Sequence, residues 1–404
     1  MLRFVVIEVR QHLCCANVFL NFQQSITDFD SVRINVEDGL IRVKDSTDST
    51  VVEVKVAEYF TILTETFSNL LVDQENISFR ISVQNVKDLS QYGKGSSHSA
   101  PAFQLEEGQS VSLHCKQCES TLCGSQRYSK VREFPSGSID ISEFFCHHGP
   151  SFNDVLLPRI ADIFYGFQFV IINMENIRNA SKEREQHLYC KRCSRYLGET
   201  LFEGKAAKLW TDSIAMKRED DIETTDLFNV AEHNLLQLLM LKVINETSLP
   251  SPEPLLRNMH FTKVLLETSL ANRKPRYLLV QILEKNLPVL KNDDELQDVE
   301  RKDADTLIHL LNVELGVCQA FKLLYRLIES EHQPNDNCDD VNGEVDENEP
   351  PMLSYWQQDI NILKLKISPF LFHDLLDELN CNSLLLPEIY RNNKDSFTLS
   401  YIFQ

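Results

Sequence analysis

LHCKQCESTL (residues 113–122) and LYCKRCSRYL (residues 188–197) are two copies of one phrase, L-[HY]-C-K-x-C-x-x-x-L. Each sets a Cys-x-x-Cys turn between strand-like flanks. Such a turn lets two thiolates converge on one tetrahedral ion, and two turns complete a four-sulfur set. The pattern predicts one structural zinc ion per chain, held by Cys115, Cys118, Cys190 and Cys193, with no coordination position left for a catalytic water. The halves are far apart in sequence, so two hairpins of one β region, residues 101–215, must meet in space. A redox-active dithiol needs a single pair near a βαβ unit, which two knuckles on hairpins do not suggest. His114 and Cys123 are alternative ligands; their ordinary readings are a strand residue and a small buried side chain.

Outward from the knuckles, residues 1–100 read as a β-rich domain. Val32, Ile34 and Val36 alternate with polar residues, Asp38-Gly39 signals a hairpin turn, and Ile41 and Val43 resume. Val52, Val54 and Val56, then Ile77, Phe79, Ile81 and Val83, repeat the period of two. Residues 90–103, rich in Gly and Ser, read as a loop or domain edge. In residues 216–404 the period lengthens. The spacing predicts helices over 227–242 and along Leu307, Leu311, Leu315, Cys318, Phe321, Tyr325 and Ile328. Between them, 277–290 reads as a strand pair turned at Asn286, and the closing DSFTLSYIF alternates again. The expected class is α+β, with the bipartite four-cysteine site in the β-rich part and a mixed α/β C-terminal part. The insert 331–351 carries eight acids and no Lys or Arg, a solvated, disordered composition.

The 404 residues are too many for one domain, and 43% hydrophobic content excludes wholesale disorder. Sixty acids against 40 bases give a net charge of −20. Phosphate neutralisation needs a basic surplus, so direct nucleic-acid binding is not expected, nor is an anionic membrane. The most apolar stretches, 164–172 and 235–244, are too short to span a bilayer. The opening run MLRFVVIEVR is cut by Glu8 and Arg10, unlike a secretory signal. Eleven cysteines, an odd count, do not form a disulfide framework in so long a chain. A reducing compartment, cytoplasmic or nuclear, follows.

Between the knuckles lies SEFFCHHGPSFNDVLLP, with Cys146, His147 and His148 in sequence. One reading is a packed, inert thiol beside two loop histidines. The other is a presented thiol, anchored by Phe144 and Phe145 and turned outward by Gly149-Pro150, able to ligate another protein's metal or act as a nucleophile.

The two knuckles, the CKRC…LGET phrase (Cys190 to Cys193, then Leu197 to Thr200) and the FFCH segment resemble the HECT-like, ubiquitin-conjugating-enzyme-binding family of ubiquitin-protein ligases. The resemblance is firmest over 110–215 and returns in LPEIYRNNKDSFTLSYIF at the C-terminus. It implies that the protein accepts ubiquitin from a conjugating enzyme and passes it to substrates, cyclin B among them, with the enzyme contact over roughly 214–242. It also implies a motif that plugs the zinc endonuclease of the pre-mRNA 3′-end cleavage and polyadenylation machinery. The matching position is Cys146, followed by His147, where a thiolate would occupy a metal position and block hydrolysis.

Transfer through a thioester needs an accessible cysteine with a base nearby. Cys318 lies on the apolar stripe and Cys338 in the acidic insert, leaving Cys381, with His373 upstream, as the positional candidate. Two functions stand open: a ubiquitin-transferring enzyme that also inhibits the endonuclease, or a non-catalytic inhibitor or assembly chaperone of that endonuclease.

Overall fold

Strand β1 (Leu2–Arg10, LRFVVIEVR) buries side chains on both of its faces, the pattern of a strand covered from two sides. In the computed structural model it lies inside a nine-stranded sheet. The structure describes residues 2–23, 32–45, 50–73, 75–89, 102–134, 156–219, 221–229, 236, 238–240, 242–243, 262–270, 275–292, 309–329, 351–392 and 396–404. The sheet runs β22 (Leu363–Lys366), β18 (Thr262–Thr268), β19 (Arg276–Lys291), β1, β2 (Cys15–Phe22), β7 (Asn76–Gln84) and β6 (Thr61–Asp73). β21 (Gly316–Glu329) lies along β19, and β23 (Thr398–Phe403) lies beyond it. The first and last strands therefore share one sheet.

On one face Val5, Ile7 and Val9 join Ala16, Val18, Leu20, Ile77, Phe79 and Ile81 in a core closed by a second sheet. That sheet has the order β20 (His309–Val313), β5 (Thr50–Lys55), β4 (Leu40–Asp45), β3 (Val32–Glu37). The β3–β4 turn falls at Asp38-Gly39 as expected, and Gly39 is required there: a Cβ would sit 2.5 Å from that of Ala57.

Two expectations for the C-terminal part are corrected. Residues 277–290 form no hairpin but belong to the single sixteen-residue β19. Its first half pairs with β18, its last residues pair with β1, and irregularities between Ile282 and Leu287 bend it where the partner changes. The turn-prone Asn286 marks that bend. The described part of the Leu307–Ile328 stripe is not helical: it makes β20 and β21, turned at Glu314-Leu315. With Phe321, Leu323 and Tyr325 in one core and Ala320 in another, β21 is apolar on both faces, so helical spacing appears within it by default.

The expected α+β class with a mixed α/β C-terminal part gives way to a mostly β molecule with few helices. Among the described residues the helices include α1 (Pro351–Gln358), α2 (Pro369–Ser383), α3 (Glu388–Arg391) and the helical positions among 236–243. Ser368 caps α2 by accepting the Leu371 N–H at 3.1 Å, with Pro369 starting the helix. Leu371, Phe372, Leu375 and Leu379 pack on Val264, Leu266, Leu278 and Val280, while Leu353 and Trp356 of α1 cover Leu265, Tyr277 and Leu279 on the other face.

The knuckles belong to two further sheets. β17 (Ile214–Arg218), β8 (Ser110–Cys115) and β9 (Thr121–Arg127) form one. The other runs β10 (Lys130–Glu133), β11 (Asp162–Gly166), β12 (Phe169–Asn173), β16 (Ala206–Trp210), β15 (Tyr196–Leu201), β14 (His187–Cys190), β13 (Ser181–Arg184). They enclose a shared core that includes Leu113, Ile163, Ile172, Leu188 and Leu209. Gly198 of the LGET phrase is fixed by packing, since a Cβ would lie 1.9 Å from the Lys208 carbonyl oxygen. Residues 90–101, the Cys146 segment, Cys338 and residues 331–350 of the insert lie outside the described residues.

The second face of β1 carries an ion pair. Glu8 is 0% exposed and accepts hydrogen bonds from Lys322 at 2.5 Å, Tyr401 at 2.5 Å and Asn17 at 2.9 Å. Burial works to raise its carboxyl. The Lys322 ammonium and the three hydrogen-bond donors outweigh that and hold it below its ordinary 4.5. A depressed carboxylate contributes stability that is complete above the unfolded value and lost as pH falls through the folded one. Lys322→Met is expected to cost about 3–5 kcal/mol by stranding a buried charge, and the Glu8→Met/Lys322→Met pair distinctly less. Chemical denaturation of both beside the unaltered chain checks this, the double variant losing less stability below pH 4.5 than the unaltered chain.

Candidate metal centre

β8 ends at Cys115 and β14 at Cys190, and each strand runs into a turn of the same construction. In the first, the Glu119 N–H donates to the Cys115 carbonyl at 2.8 Å and the Cys115 N–H to that of Ser120 at 3.0 Å. In the second, the Ser194 N–H donates to the Cys190 carbonyl at 2.9 Å and the Cys190 N–H to that of Arg195 at 2.8 Å. The corresponding residues Glu119 and Ser194 take left-handed conformations, φ 56° and 61°. Repetition of the phrase is thus repetition of a backbone.

The four thiols lie within 4.8 Å of one another, a group that can hold a metal ion. Cys115 and Cys193, 78 residues apart in sequence, bring their sulfurs to 3.6 Å, and Cys118 and Cys190 to 3.7 Å. Tetrahedral sulfurs around an ion with bonds of about 2.3 Å stand roughly 3.8 Å apart, so the spacing fits. Cys115 and Cys190 are buried, Cys118 is half-buried and Cys193 is exposed. The thiols are unequal. Burial pushes Cys115 up to about 12, aided by its neighbour Cys190. Burial also works to raise Cys190, but hydrogen bonds from Ser120 and from the backbone N–H groups of Cys193 and Arg192 bring it down to about 6. The Ser120 hydroxyl lowers Cys118 too, while burial raises Cys193, so without an ion the cluster favours thiolates at Cys190 and Cys118 and resists them at Cys115 and Cys193; a divalent ion drives the remaining protons off.

His114 stands apart from the cluster, between the Ser112 hydroxyl at 2.8 Å and the Glu119 carbonyl at 3.2 Å. Cys123 is buried in the core beside Tyr128. Both take the ordinary reading. Cys146, His147 and Cys338 lie outside the described residues. Cys318 sits half-buried on β21, its thiol 3.4 Å from the Val289 carbonyl. Cys381 is exposed on α2, and His373, two turns earlier, lies about 12 Å away along the axis. That imidazole faces Asp377 at 2.8 Å. The structure does not bring Cys381 and His373 together.

Within residues 214–242, β17 is sewn to β8, Ile214 opposite Cys115, and its Ile214 and Met216 are fully buried. Leu236, Leu239, Met240 and Val243 face the C-terminal core. The intervening turn presents Ile222 at 91% exposure, its carbonyl held by the Lys217 ammonium at 2.8 Å. No pattern of period two or 3.6 marks such a residue.

Among known proteins, the chain is 25% identical over 146 residues to a mouse (Mus musculus) protein named as an E3 ubiquitin-protein ligase, covering 36% of this chain and 38% of the relative. It is 29% identical over 99 residues to the rat (Rattus norvegicus) protein of the same name, covering 24% and 27%. The chain thus spans well under half the length of these curated relatives. No solved structure matches it. The model of the family described as HECT-like ubiquitin-conjugating enzyme (E2)-binding matches residues 8–399, from the buried Glu8 on β1 to Leu399 on β23, and the chain belongs to that family.

Proposed function

We propose that the protein binds a ubiquitin-conjugating enzyme and promotes passage of ubiquitin from it to a substrate, as a ubiquitin-protein ligase built around a structural zinc. The observation that carries this reading is the family match, which runs through all four sheets rather than through one motif. Four sulfur donors at tetrahedral spacing suit zinc, whose closed thiolate shell supplies stability and no catalytic water. Cys115, Cys118, Cys190 and Cys193 hold it. The chemistry of transfer is therefore the conjugating enzyme's own thioester or that of a cysteine outside the centre, and Cys381 and Cys14 are the exposed cysteines of the described chain away from the cluster. Within 214–242 the conjugating enzyme has one fully presented apolar side chain to engage among the described residues, Ile222. Endonuclease inhibition through Cys146 and His147 rests on the FFCH phrase.

Metal analysis of the purified chain is expected to give one zinc per molecule. Cys190→Ser is expected to lose the metal and the cooperative unfolding transition of the two knuckle sheets, and substoichiometric zinc in the unaltered chain would sink the assignment.

A charged conjugating enzyme is expected to discharge its ubiquitin faster with the protein present. Ile222→Asp should weaken binding at least tenfold, about 1.4 kcal/mol, with zinc content unchanged. A non-reducing gel of Cys14→Ser, Cys146→Ser, Cys338→Ser and Cys381→Ser then tells whether a thioester forms on this chain; no acceleration of discharge by the unaltered protein defeats the ligase reading.

A further inference from the structure

The outer face of β1, β2 and β7 is covered, yet it is polar. The register places Glu8 opposite Asn17 and Asn17 opposite Arg80, and in the next row Val6 opposite Phe19 and Phe19 opposite Ser78. Alternation sends the apolar neighbours of these residues into the sandwich core and turns this set outward. Over it close β21 with Lys322, β23 with Leu399, and the segment around α3 with Leu386 and Tyr390. They leave a cavity of about 260 Å³.

Its polar wall is Arg10, Asn17, Asn69, Ser78, Arg80 and Lys322: three cations and no acid. Arg10 is engaged by Glu284 at 2.8 Å and by Glu8 at 3.5 Å, and Lys322 by the same Glu8, which stands buried in this outward row beside Asn17. Arg80 donates to the neutral Asn17 side-chain oxygen at 2.9 Å and has no carboxylate partner among the described residues. Ser78 is 2% exposed, and its hydroxyl has no hydrogen-bond partner among the described residues. Buried hydroxyls are ordinarily satisfied, so an orphan lining a cavity is a donor awaiting an acceptor. The apolar part of the lining includes Phe19, beside Ser78 on the floor, and Tyr390, edge to face with it at 6.0 Å. A few convergent polar groups beside aromatic rings is the layout of a small-molecule site.

We propose that this cavity binds a small organic anion, an aromatic carboxylate or phosphate monoester, with its oxyanion on Arg80 and Ser78 and its ring against Phe19 and Tyr390. Guanidinium suits either headgroup, since its paired N–H donors match two oxygens of a carboxylate or a phosphate. The site belongs to a different sheet from the cysteine cluster and does not rest on ubiquitin transfer.

Titration calorimetry of the full chain with benzoate and with phenyl phosphate separates the two headgroups, and benzyl alcohol serves as the neutral ring. Saturable binding of at least one anion is expected, with none of benzyl alcohol. Arg80→Gln, a change at an exposed side chain, should weaken binding at least tenfold while leaving the thermal midpoint of the ligand-free protein in place. Ser78→Ala should weaken it as well. Binding of neither anion, or equal binding by Arg80→Gln, overturns the proposal.

Discussion

A carboxylate with no exposure sits on a central strand of the largest sheet, and it is tolerable there only while its partners stay in place. Glu8 comes from the first strand, Lys322 from β21 and Tyr401 from the last. A buried charge stranded without its counter-ion costs more than the pair ever contributes, so the arrangement penalises every packing in which the first and last strands fail to meet. β19 provides the geometry. It pairs with β18 through its first half and with β1 through its last residues, and its bend converts one sheet direction into the other. Closure of this kind depends on contacts between residues hundreds of positions apart, which cost loop entropy before they return any stability.

The cysteine centre is tied to the same frame through the second knuckle. Arg195, two residues after Cys193, lays its guanidinium over the Phe370 ring at 4.2 Å and donates to the Asp212 carbonyl at 3.1 Å. The Asp212 carboxylate accepts from Ser368, the residue that caps α2. Glu199, just past the knuckle, is shared between Lys208 and Lys366 of β22. The turn that presents two thiols is therefore the turn that seats the start of α2. Order at the four thiols and order at that helix end are one property, because an acid at a helix N-terminus is stabilising only where its position is fixed.

The sequence shows local matters well. The knuckles, the Asp38-Gly39 hairpin and the alternating strands of the first hundred residues announce themselves because turn chemistry and period act over a few residues. The C-terminal part is harder. β19 and β21 are buried on both faces, so no polar residue breaks the apolar run in a telling rhythm, and stretches of Leu, Val and Phe satisfy any template. Asn286 carries the composition of a turn but serves a bend inside a paired strand, a distinction made by β21 running alongside. That the first strand hydrogen-bonds to residues 289–291 has no local signature at all. The cysteine cluster was legible as a set of four because zinc-type spacing is short range; its burial and its link to α2 were not, since those depend on where the sheets cross.

Charge gives the centre its remaining logic. Four thiolates around a divalent ion carry two net negative charges, a poor fit for a chain already at −20. The phrase itself supplies the remedy. Of the residues inside and just after the turns, Lys116, Lys191, Arg192 and Arg195 are basic against the single acid Glu119, and Arg192 donates to the Cys118 carbonyl at 3.4 Å across the two knuckles. Lys116 is held by Asp226 at 2.6 Å, in the turn that also carries Ile222. A cationic collar on an acidic surface lowers the free energy of the thiolate form and thereby of the metal-bound state. One of these cations, Lys116, also ties the exposed turn to the knuckle through Asp226, and Lys217 holds the Ile222 carbonyl of the same turn. Lys217, on the strand sewn to Cys115, completes that anchorage, so the exposed turn at Ile222 takes its shape from the strand that packs against the centre.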